Sequence, residues 1–303
     1  MIVEKLGPID YEEHGHGPTV VFVPGSCSTG AAWRPVIAAA GGALRSVTTS
    51  LLGYGGTRER RFGFEPAIAA EAGIVESVVR RAAAPVHLVG HSFGGLVALA
   101  VSLRNQVRLH SLTIIEAPAA ELLRNVGEQQ HYDAFRRMTN SYVTAYETDN
   151  LAAIGSMVDF YGGPGTFASW PQRVRDYAIE TTPVNILDWA DVYGFDLTPD
   201  VLAGIDIPTL VLLGETSHPA VQSANRQLYR HISGASMVEV AGAAHFMIST
   251  HAESVARIIA RHVSLSELLI KTGCRLRLAA RSEIRDYAPA LARLAPESKV
   301  ANA

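Results

Sequence analysis

Gly90-His91-Ser92-Phe93-Gly94 directly follows the apolar run Val86-His87-Leu88-Val89, and these nine residues decide the fold. A buried strand, a sharp turn with a serine at its apex and a following helix are typical of a nucleophile elbow. Such a turn brings neighbouring backbone very close, so the residues two before and two after the serine must be small. Leu96–Val101 is almost wholly apolar and predicts a helix buried against a sheet.

Apolar strands alternate with helical patterns on both sides of this unit. A parallel sheet covered by helices on both faces gives such continuous apolar strands, so the chain predicts an α/β fold. The first residues predict a short hairpin of Ile2–Lys5 and Ile9–Glu13 with its turn at Gly7-Pro8, and Glu65-Pro66 is expected to open a helix. The other predicted strands are Thr19–Val23, Arg45–Ser50, Ser111–Ile115, Pro208–Leu213 and Ser236–Val240.

Composition limits the classes of function. The 303 residues are 48% hydrophobic and 18% charged, enough for a large packed core. The formal net charge of -3 predicts neither a nucleic acid nor a membrane as partner. The start lacks the layout of a signal peptide, no apolar run is long enough for a membrane span, and Cys27 and Cys274 lie far apart in sequence. We therefore expect a soluble cytoplasmic protein.

The interval from about residue 118 to 204 breaks the alternation. It contains no convincing buried strand, is rich in aromatic residues and has helical periodicity in places, as in Tyr132-Phe135-Met138-Tyr142. We interpret it as a helical insertion over the sheet edge to which the turn at Ser92 points. For any one aromatic residue, the alternative is packing of the insertion onto the core.

The combined pattern resembles the α/β-hydrolase superfamily. The elbow, the helical insertion and the late Gly242-Ala243-Ala244-His245-Phe246 follow that family's order, and Gly53-Tyr54-Gly55 and Trp33-Arg34-Pro35-Val36 match further family features. The resemblance covers roughly residues 7–263. It implies a mostly parallel central sheet in a core of residues 1–117 and 205–263, and a helical cap over 118–204. It says nothing about the extension 264–303, which could form a homodimer contact, cover the core or remain loosely ordered.

A serine needs a base to act as a nucleophile at neutral pH, and histidine is suited to take and return its proton. His245 follows the last predicted strand, where the family places its catalytic histidine. His91 lies inside the elbow and is expected to support the turn. His14-Gly15-His16 has no further ligand cluster and predicts a polar turn, so we expect no metal and no organic cofactor.

The third member of the triad departs from the family's common pattern. Most members carry an aspartate in the loop after the strand that corresponds to Pro208–Leu213, and this chain has Ser217 there. Glu116, directly after the strand Ser111–Ile115, is the favoured acid. The alternatives are Glu215, Asp191 or no acid, and for Glu116 a purely structural role.

The resemblance also implies two backbone donors for a developing oxyanion, from Ser26 and Phe93. Pro24 replaces the histidine that the family usually has in the first of these loops. Cys27 beside it is interpreted as a small buried apolar residue. We expect the pocket for a small-molecule substrate to be lined by Trp33, Tyr161, Trp189 and Phe246.

The sequence leaves three functions open. The favoured one is a serine hydrolase that cleaves a small, largely apolar ester, thioester or lactone through an acyl-Ser92 intermediate. The same residues could serve C–C bond hydrolysis or cofactor-free oxidative chemistry. The third is a non-catalytic receptor for a small molecule. Ser92 disfavours epoxide hydrolases and haloalkane dehalogenases, which need a carboxylate nucleophile at that position.

Overall fold

The structure is a computed structural model that describes residues 1–4, 7–61, 68–83 and 85–272. The chain divides into two compact units, Met1–Ser266 and Glu267–Ala303. The first contains the sheet and the site, and the described part of the second is the end of a helix. Within the described ranges, no helix is both long and apolar enough to cross a membrane.

Seven strands form the central sheet and two more form a separate pair. The strands that the structure describes are β1 (Ile2–Glu4), β2 (Gly7–Ile9), β3 (Glu12–His14), β4 (Thr19–Val23), β5 (Arg45–Thr48), β6 (Val86–His91), β7 (Leu109–Ile115), β8 (Thr209–Gly214) and β9 (Ser236–Val240). The central sheet has the order β3, β5, β4, β6, β7, β8, β9, and β3 is its one antiparallel strand. The predicted α/β fold is therefore confirmed.

The predicted hairpin at the start of the chain is wrong in its turn and in its second strand. Gly7 and Pro8 lie within β2, where they pair with Glu4 and Val3, so they do not form the turn. The predicted strand Ile9–Glu13 is divided between two sheets, because Ile9 ends β2 while β3 pairs with β5 at the edge of the central sheet.

Both faces of the central sheet are buried, which explains its continuous apolar strands. Consecutive side chains of a strand point to opposite faces. Val21 packs on one face in a core that includes Leu88, whereas Phe22 packs on the other face in a core that includes Val89. Helices cover these two cores, as expected for parallel strands joined by helical crossovers.

Helices connect the strands and fill the interval between β7 and β8. A 3₁₀ helix, Gly30–Trp33, precedes α1 (Arg34–Ala39), α2 (Ile68–Arg81) and α3 (Phe93–Arg104). The predicted opening of α2 at Glu65-Pro66 lies outside the described residues. The remaining helices are α4 (Ala120–Asn125), α5 (Gln129–Glu147), α6 (Ile154–Gly162), α7 (Thr166–Ser169), α8 (Gln172–Glu180), α9 (Thr182–Gly194), α10 (Pro199–Ala203), α11 (Pro219–His231), α12 (Met247–Thr250) and α13 (Ala252–Lys271).

Residues 118–204, all of which the structure describes, contain α4 to α10 and no strand. Their aromatic residues pack on one another: the ring of Phe135 in α5 lies 5.6 Å from that of Phe160 and 6.0 Å from that of Trp189. Phe135 and Tyr142 are fully buried two turns apart, which explains the helical spacing in the sequence. The division into a core and a cap stays a prediction. Of the extension 264–303, residues after 272 lie outside the described part.

Candidate active site

Ser92 lies at the turn between β6 and α3. Its backbone has φ of +55° and ψ of -128°, a combination that is rare for a residue with a side chain. The Ser92 N–H donates to the carbonyl oxygen of Ile115 on β7 (2.8 Å), which fixes the turn on the neighbouring strand. A Cβ at Gly90 would collide with the carbonyl group of Gly94, and one at Gly94 with that of Pro24. The turn therefore requires glycine at both positions.

His245 lies between β9 and α12, and its Nε2 is 2.9 Å from Ser92 Oγ. The side chain is buried. The ring of Tyr161 packs over the imidazole with 4.1 Å between ring centroids, and the ring of Phe246 lies edge-on at 5.2 Å. This packing restricts rotation of the imidazole, so Nε2 remains directed at the serine hydroxyl.

His91 supports the loop that carries His245. Its Nε2 lies 2.8 Å from the carbonyl oxygen of His245, so this nitrogen carries the proton and donates. Burial, and after it the proximity of His245, lowers the pKa of His91 to about 3. His91 is therefore neutral at physiological pH and positions the loop through a hydrogen bond.

Glu116 completes a hydrogen-bonded chain with these two residues. It directly follows β7, has φ of +54° and is fully buried. Its Oε2 lies 3.1 Å from His245 Nδ1. Its Oε1 accepts from the Gly214 N–H (2.7 Å) and from the Ser217 hydroxyl (2.8 Å). Ser217, at the position of the family's usual acid, thus becomes a donor that holds the carboxylate in place.

The two alternative acids lie elsewhere. Glu215 is exposed and accepts from the Gly242 N–H (2.7 Å), so it ties the loop after β8 to the loop after β9. Asp191 is buried in α9 and pairs with Arg61 at 3.1 Å. Of the three candidate carboxylates, the structure brings Glu116 to His245.

Ser26 and Phe93, the two expected oxyanion donors, line the same cavity as Ser92 and His245. Phe93 is the first residue of α3, and the first four N–H groups of an α-helix have no partner within the helix. The helix dipole also favours negative charge at this end. The geometry is therefore suited to bind an oxyanion that forms beside Ser92.

The cavity has a volume of about 650 Å³, within the usual range for small-molecule sites. Three of the four expected pocket residues, Tyr161, Trp189 and Phe246, line it. The expectation for Trp33 is wrong: this side chain is fully buried and packs against Phe22 in the core on the other face of the sheet. It ends the 3₁₀ helix, and the residue before it, Ala32, contacts the cavity instead.

A buried charge cluster, which the sequence analysis missed, adjoins the cavity. The Arg61 guanidinium lies 2.7 Å from Asp188, 3.1 Å from Asp191 and 3.4 Å from Glu71, and all four residues are buried. Burial raises the pKa of Asp188 and of Glu71 above their usual values, and the positive charge of Arg61 opposes this.

The charge cluster joins α9 to the loop of Ser26. Asp188 accepts hydrogen bonds from the Ser26 hydroxyl (2.5 Å) and the Tyr54 hydroxyl (2.6 Å). The sequence carries one signal for this cluster: Asp188 and Asp191 lie one turn apart in α9, and both are on its buried side. Their partner Arg61, in the loop after β5, lies in no sequence pattern that predicts a buried ion pair.

Comparisons with known proteins agree with the fold. An alignment of length 120 to a relative from Variovorax paradoxus (strain S110), which is named as a carbamate hydrolase, RutD, is 33% identical; it covers 36% of this chain and 42% of that relative. An esterase from Exiguobacterium antarcticum (EaEST) superposes with a TM-score of 0.68 at 15% identity, over 84% of this chain and 95% of the esterase.

The enol-lactonase from Burkholderia xenovorans LB400 superposes with a TM-score of 0.66 at 19% identity, over 84% of this chain and 96% of the lactonase. At these identities the superpositions show the fold. The family itself is shown by a sequence profile, described as "Alpha/beta hydrolase family", which matches residues 20–258 and so covers most of the chain. With the strand order and the turn at Ser92, this match establishes that the chain belongs to the alpha/beta hydrolase family.

Proposed function

We propose that this member of the alpha/beta hydrolase family is a serine hydrolase that cleaves a small, largely apolar ester, thioester or lactone. The observation that carries the proposal is the hydrogen-bonded chain from Ser92 Oγ through the imidazole of His245 to Glu116, beside a cavity of about 650 Å³. Transfer of an acyl group to a serine hydroxyl needs a nucleophilic serine, a histidine that takes its proton and a carboxylate that orients the histidine, and this chain of hydrogen bonds supplies all three.

In the first half of the reaction, Ser92 Oγ attacks the carbonyl carbon while His245 Nε2 takes its proton. Glu116 accepts from Nδ1–H, holds the tautomer that leaves Nε2 free to accept, and stabilises the imidazolium. The backbone N–H groups of Ser26 and Phe93 donate to the oxyanion. His245 then protonates the departing alcohol or thiol, and the acyl group remains on Ser92.

In the second half, water replaces the alcohol. His245 takes a proton from water, the resulting hydroxide attacks the acyl carbon, and the ester bond to Ser92 breaks. His245 returns the proton to Ser92 Oγ and the carboxylic acid leaves. The cycle consumes one water and needs neither a metal nor an organic cofactor.

The walls of the cavity support a largely apolar substrate. Apart from the serine, the histidine and one polar corner, its lining is dominated by apolar and aromatic side chains such as Met157, Val158, Val192, Trp170 and Trp189. Burial of apolar substrate surface against them contributes roughly 25 cal/mol per Å². The names of the relatives, an esterase, a lactonase and a carbamate hydrolase, agree with attack on an acyl carbon bonded to a heteroatom.

Hydrolysis of p-nitrophenyl acetate by wild type, Ser92→Ala and Ser102→Ala tests the proposal. Ser102 is a second serine on α3 and serves as the matched control. We expect wild type and Ser102→Ala to hydrolyse the ester with similar kcat. In Ser92→Ala, kcat should be lower by at least about 10³-fold. Equal rates in all three proteins would contradict a nucleophilic role for Ser92.

A further inference from the structure

One corner of the cavity is polar. Ser26, Asn185 and Asp188 contribute to the lining there. Asn185 and Asp188 lie three residues apart on α9, so their side chains emerge on the same face of the helix. Ser26 joins this corner to the loop that the proposed mechanism uses for the oxyanion.

Most of the polar atoms in this corner already have partners. Asp188 Oδ2 accepts from the hydroxyls of Ser26 and Tyr54, and its Oδ1 accepts from Arg61 (2.7 Å). These three donors to Asp188 hold this stretch of α9 in one position. Asn185, one turn before Asp188 on α9, therefore contacts the cavity from a part of the helix that is fixed in place.

The Oδ1 atom of Asn185 differs from the rest of the corner. The residue is 2% exposed and contacts the cavity. Its backbone N–H donates to the carbonyl oxygen of Thr181 within the helix, yet its buried Oδ1 accepts no hydrogen bond from any residue that the structure describes. A buried acceptor without a donor destabilises the folded state, so its presence at a substrate cavity calls for a ligand that supplies the donor.

We propose that Asn185 binds an N–H group of the substrate, so that the preferred ester, thioester or lactone carries an amide or carbamate group in addition to its scissile bond. An N–H can donate to Oδ1, and the carboxamide of Asn185 can in turn donate to the carbonyl group next to that N–H. An analogue without the N–H leaves Oδ1 unpaired in the complex and binds less well. This inference rests on the proposed function.

Two matched pairs of substrates test it. On the acyl side, p-nitrophenyl N-acetylglycinate is compared with p-nitrophenyl 4-oxopentanoate, in which CH₂ replaces the N–H. On the alcohol side, 2-acetamidoethyl acetate is compared with 4-oxopentyl acetate. Each kcat/KM is divided by the rate constant for hydroxide hydrolysis of the same compound, which removes the intrinsic difference in reactivity.

In wild type we expect the N–H compound of at least one pair to be preferred by about tenfold to a hundredfold. In Asn185→Leu, which keeps the branched shape without polar atoms, the same ratio should fall to about one. The control is Thr166→Val: Thr166 also contacts the cavity, but its hydroxyl already donates to Gly163, so this variant should keep the wild-type ratio.

The melting temperature provides a second readout. If Asn185 served the fold, Asn185→Leu would lower the melting temperature, whereas removal of an unpaired buried acceptor should leave it unchanged or raise it. Should Asn185→Leu fail to fold, the inference is wrong, since a structural role would then account for the residue.

Two further results would overturn the inference even if wild type hydrolyses p-nitrophenyl acetate. One is a ratio of normalised kcat/KM values near one in both substrate pairs for wild type. The other is a ratio in Asn185→Leu that equals that of wild type. Failure of the proposed function gives a different result. In that case wild type would not hydrolyse p-nitrophenyl acetate in a Ser92-dependent way, and the inference would fall with the function on which it rests.

Discussion

Ser92 and Glu116 share a backbone feature, since both adopt a positive φ, of +55° and +54°. This conformation is unfavourable for residues with a side chain by about 1–3 kcal/mol and persists only where the surroundings determine it. The N–H of Ser92 donates to Ile115, and that of Glu116 donates to Leu212 (3.1 Å), so neighbouring strands hold both residues. Backbone strain is thus found at two of the three members of the proposed triad.

At the residue scale, Glu116→Gln should lower kcat by about 10²–10⁴-fold. The amide keeps the shape of the carboxylate but removes the negative charge that stabilises the imidazolium, and it allows the wrong tautomer of His245. Steady-state hydrolysis of p-nitrophenyl acetate measures the effect.

Glu215→Gln is the matched control. Glu215 is exposed and accepts from Gly242 on a surface loop, so its substitution should leave kcat near the wild-type value. A large loss in Glu215→Gln together with wild-type activity in Glu116→Gln would contradict the assignment of the acid.

At the scale of secondary-structure elements, the Arg61 guanidinium in the loop after β5 pairs with two carboxylates of α9, Asp188 and Asp191. Arg61→Met should destabilise the protein by about 3–5 kcal/mol, because it leaves Glu71, Asp188 and Asp191 buried without their cation. Urea unfolding followed by circular dichroism measures the change. Arg34→Met removes an exposed ion pair with Glu12 at 4.0 Å and should change the stability by less than about 1 kcal/mol.

The turn between β6 and α3 gives a second prediction at this scale. A Cβ at Gly94 would lie against the backbone carbonyls of Val23 and Pro24, so Gly94→Ala should destabilise the fold and displace the loop that carries Ser26. Gly73→Ala provides the contrast. Gly73 lies inside α2 with open space around a new Cβ, so this change should stabilise by about 0.5–1 kcal/mol. Equal melting temperatures for both variants would contradict the close packing at the turn.

Local pattern explains which parts of the site the sequence could predict. Ser92 lies in a motif of five residues, and His245 and Glu116 follow predicted strands whose carboxyl ends meet at one edge of a parallel sheet. The sequence shows only that Ser217 replaces the usual acid, because its role as a donor to Glu116 depends on how two loops meet.

The cluster of Arg61 with Asp188 and Asp191 joins segments more than 100 residues apart in sequence, and no local sequence pattern predicts such a contact. The error at Trp33 has a similar origin. Its sequence position is near Ser26, but the 3₁₀ helix turns the side chain into the core on the other face of the sheet.

At the scale of the whole molecule, His262 should make the fold sensitive to acid. Burial, and after it the proximity of His87, lowers the pKa of His262 from about 6.5 to about 4. The unfolded chain therefore binds a proton that the folded chain does not. The associated stability is present above about pH 6.5 and is lost as the pH falls towards 4.

Between pH 7 and pH 5 this loss should be about 2 kcal/mol. His262→Asn removes the titrating group, so its unfolding free energy should fall by about 2 kcal/mol less over this range than that of wild type. His16→Asn, at an exposed turn, should follow the wild-type curve. Parallel curves for His262→Asn and wild type would contradict the role of His262.

The central claim, an activated serine beside an oxyanion site, is tested most directly by covalent labelling with a fluorophosphonate probe. Intact mass would be measured for wild type, Ser92→Ala and Ser102→Ala. We expect a single adduct on wild type and Ser102→Ala and none on Ser92→Ala. A well-folded wild type that takes no adduct, or a Ser92→Ala protein that is labelled like wild type, would contradict the account.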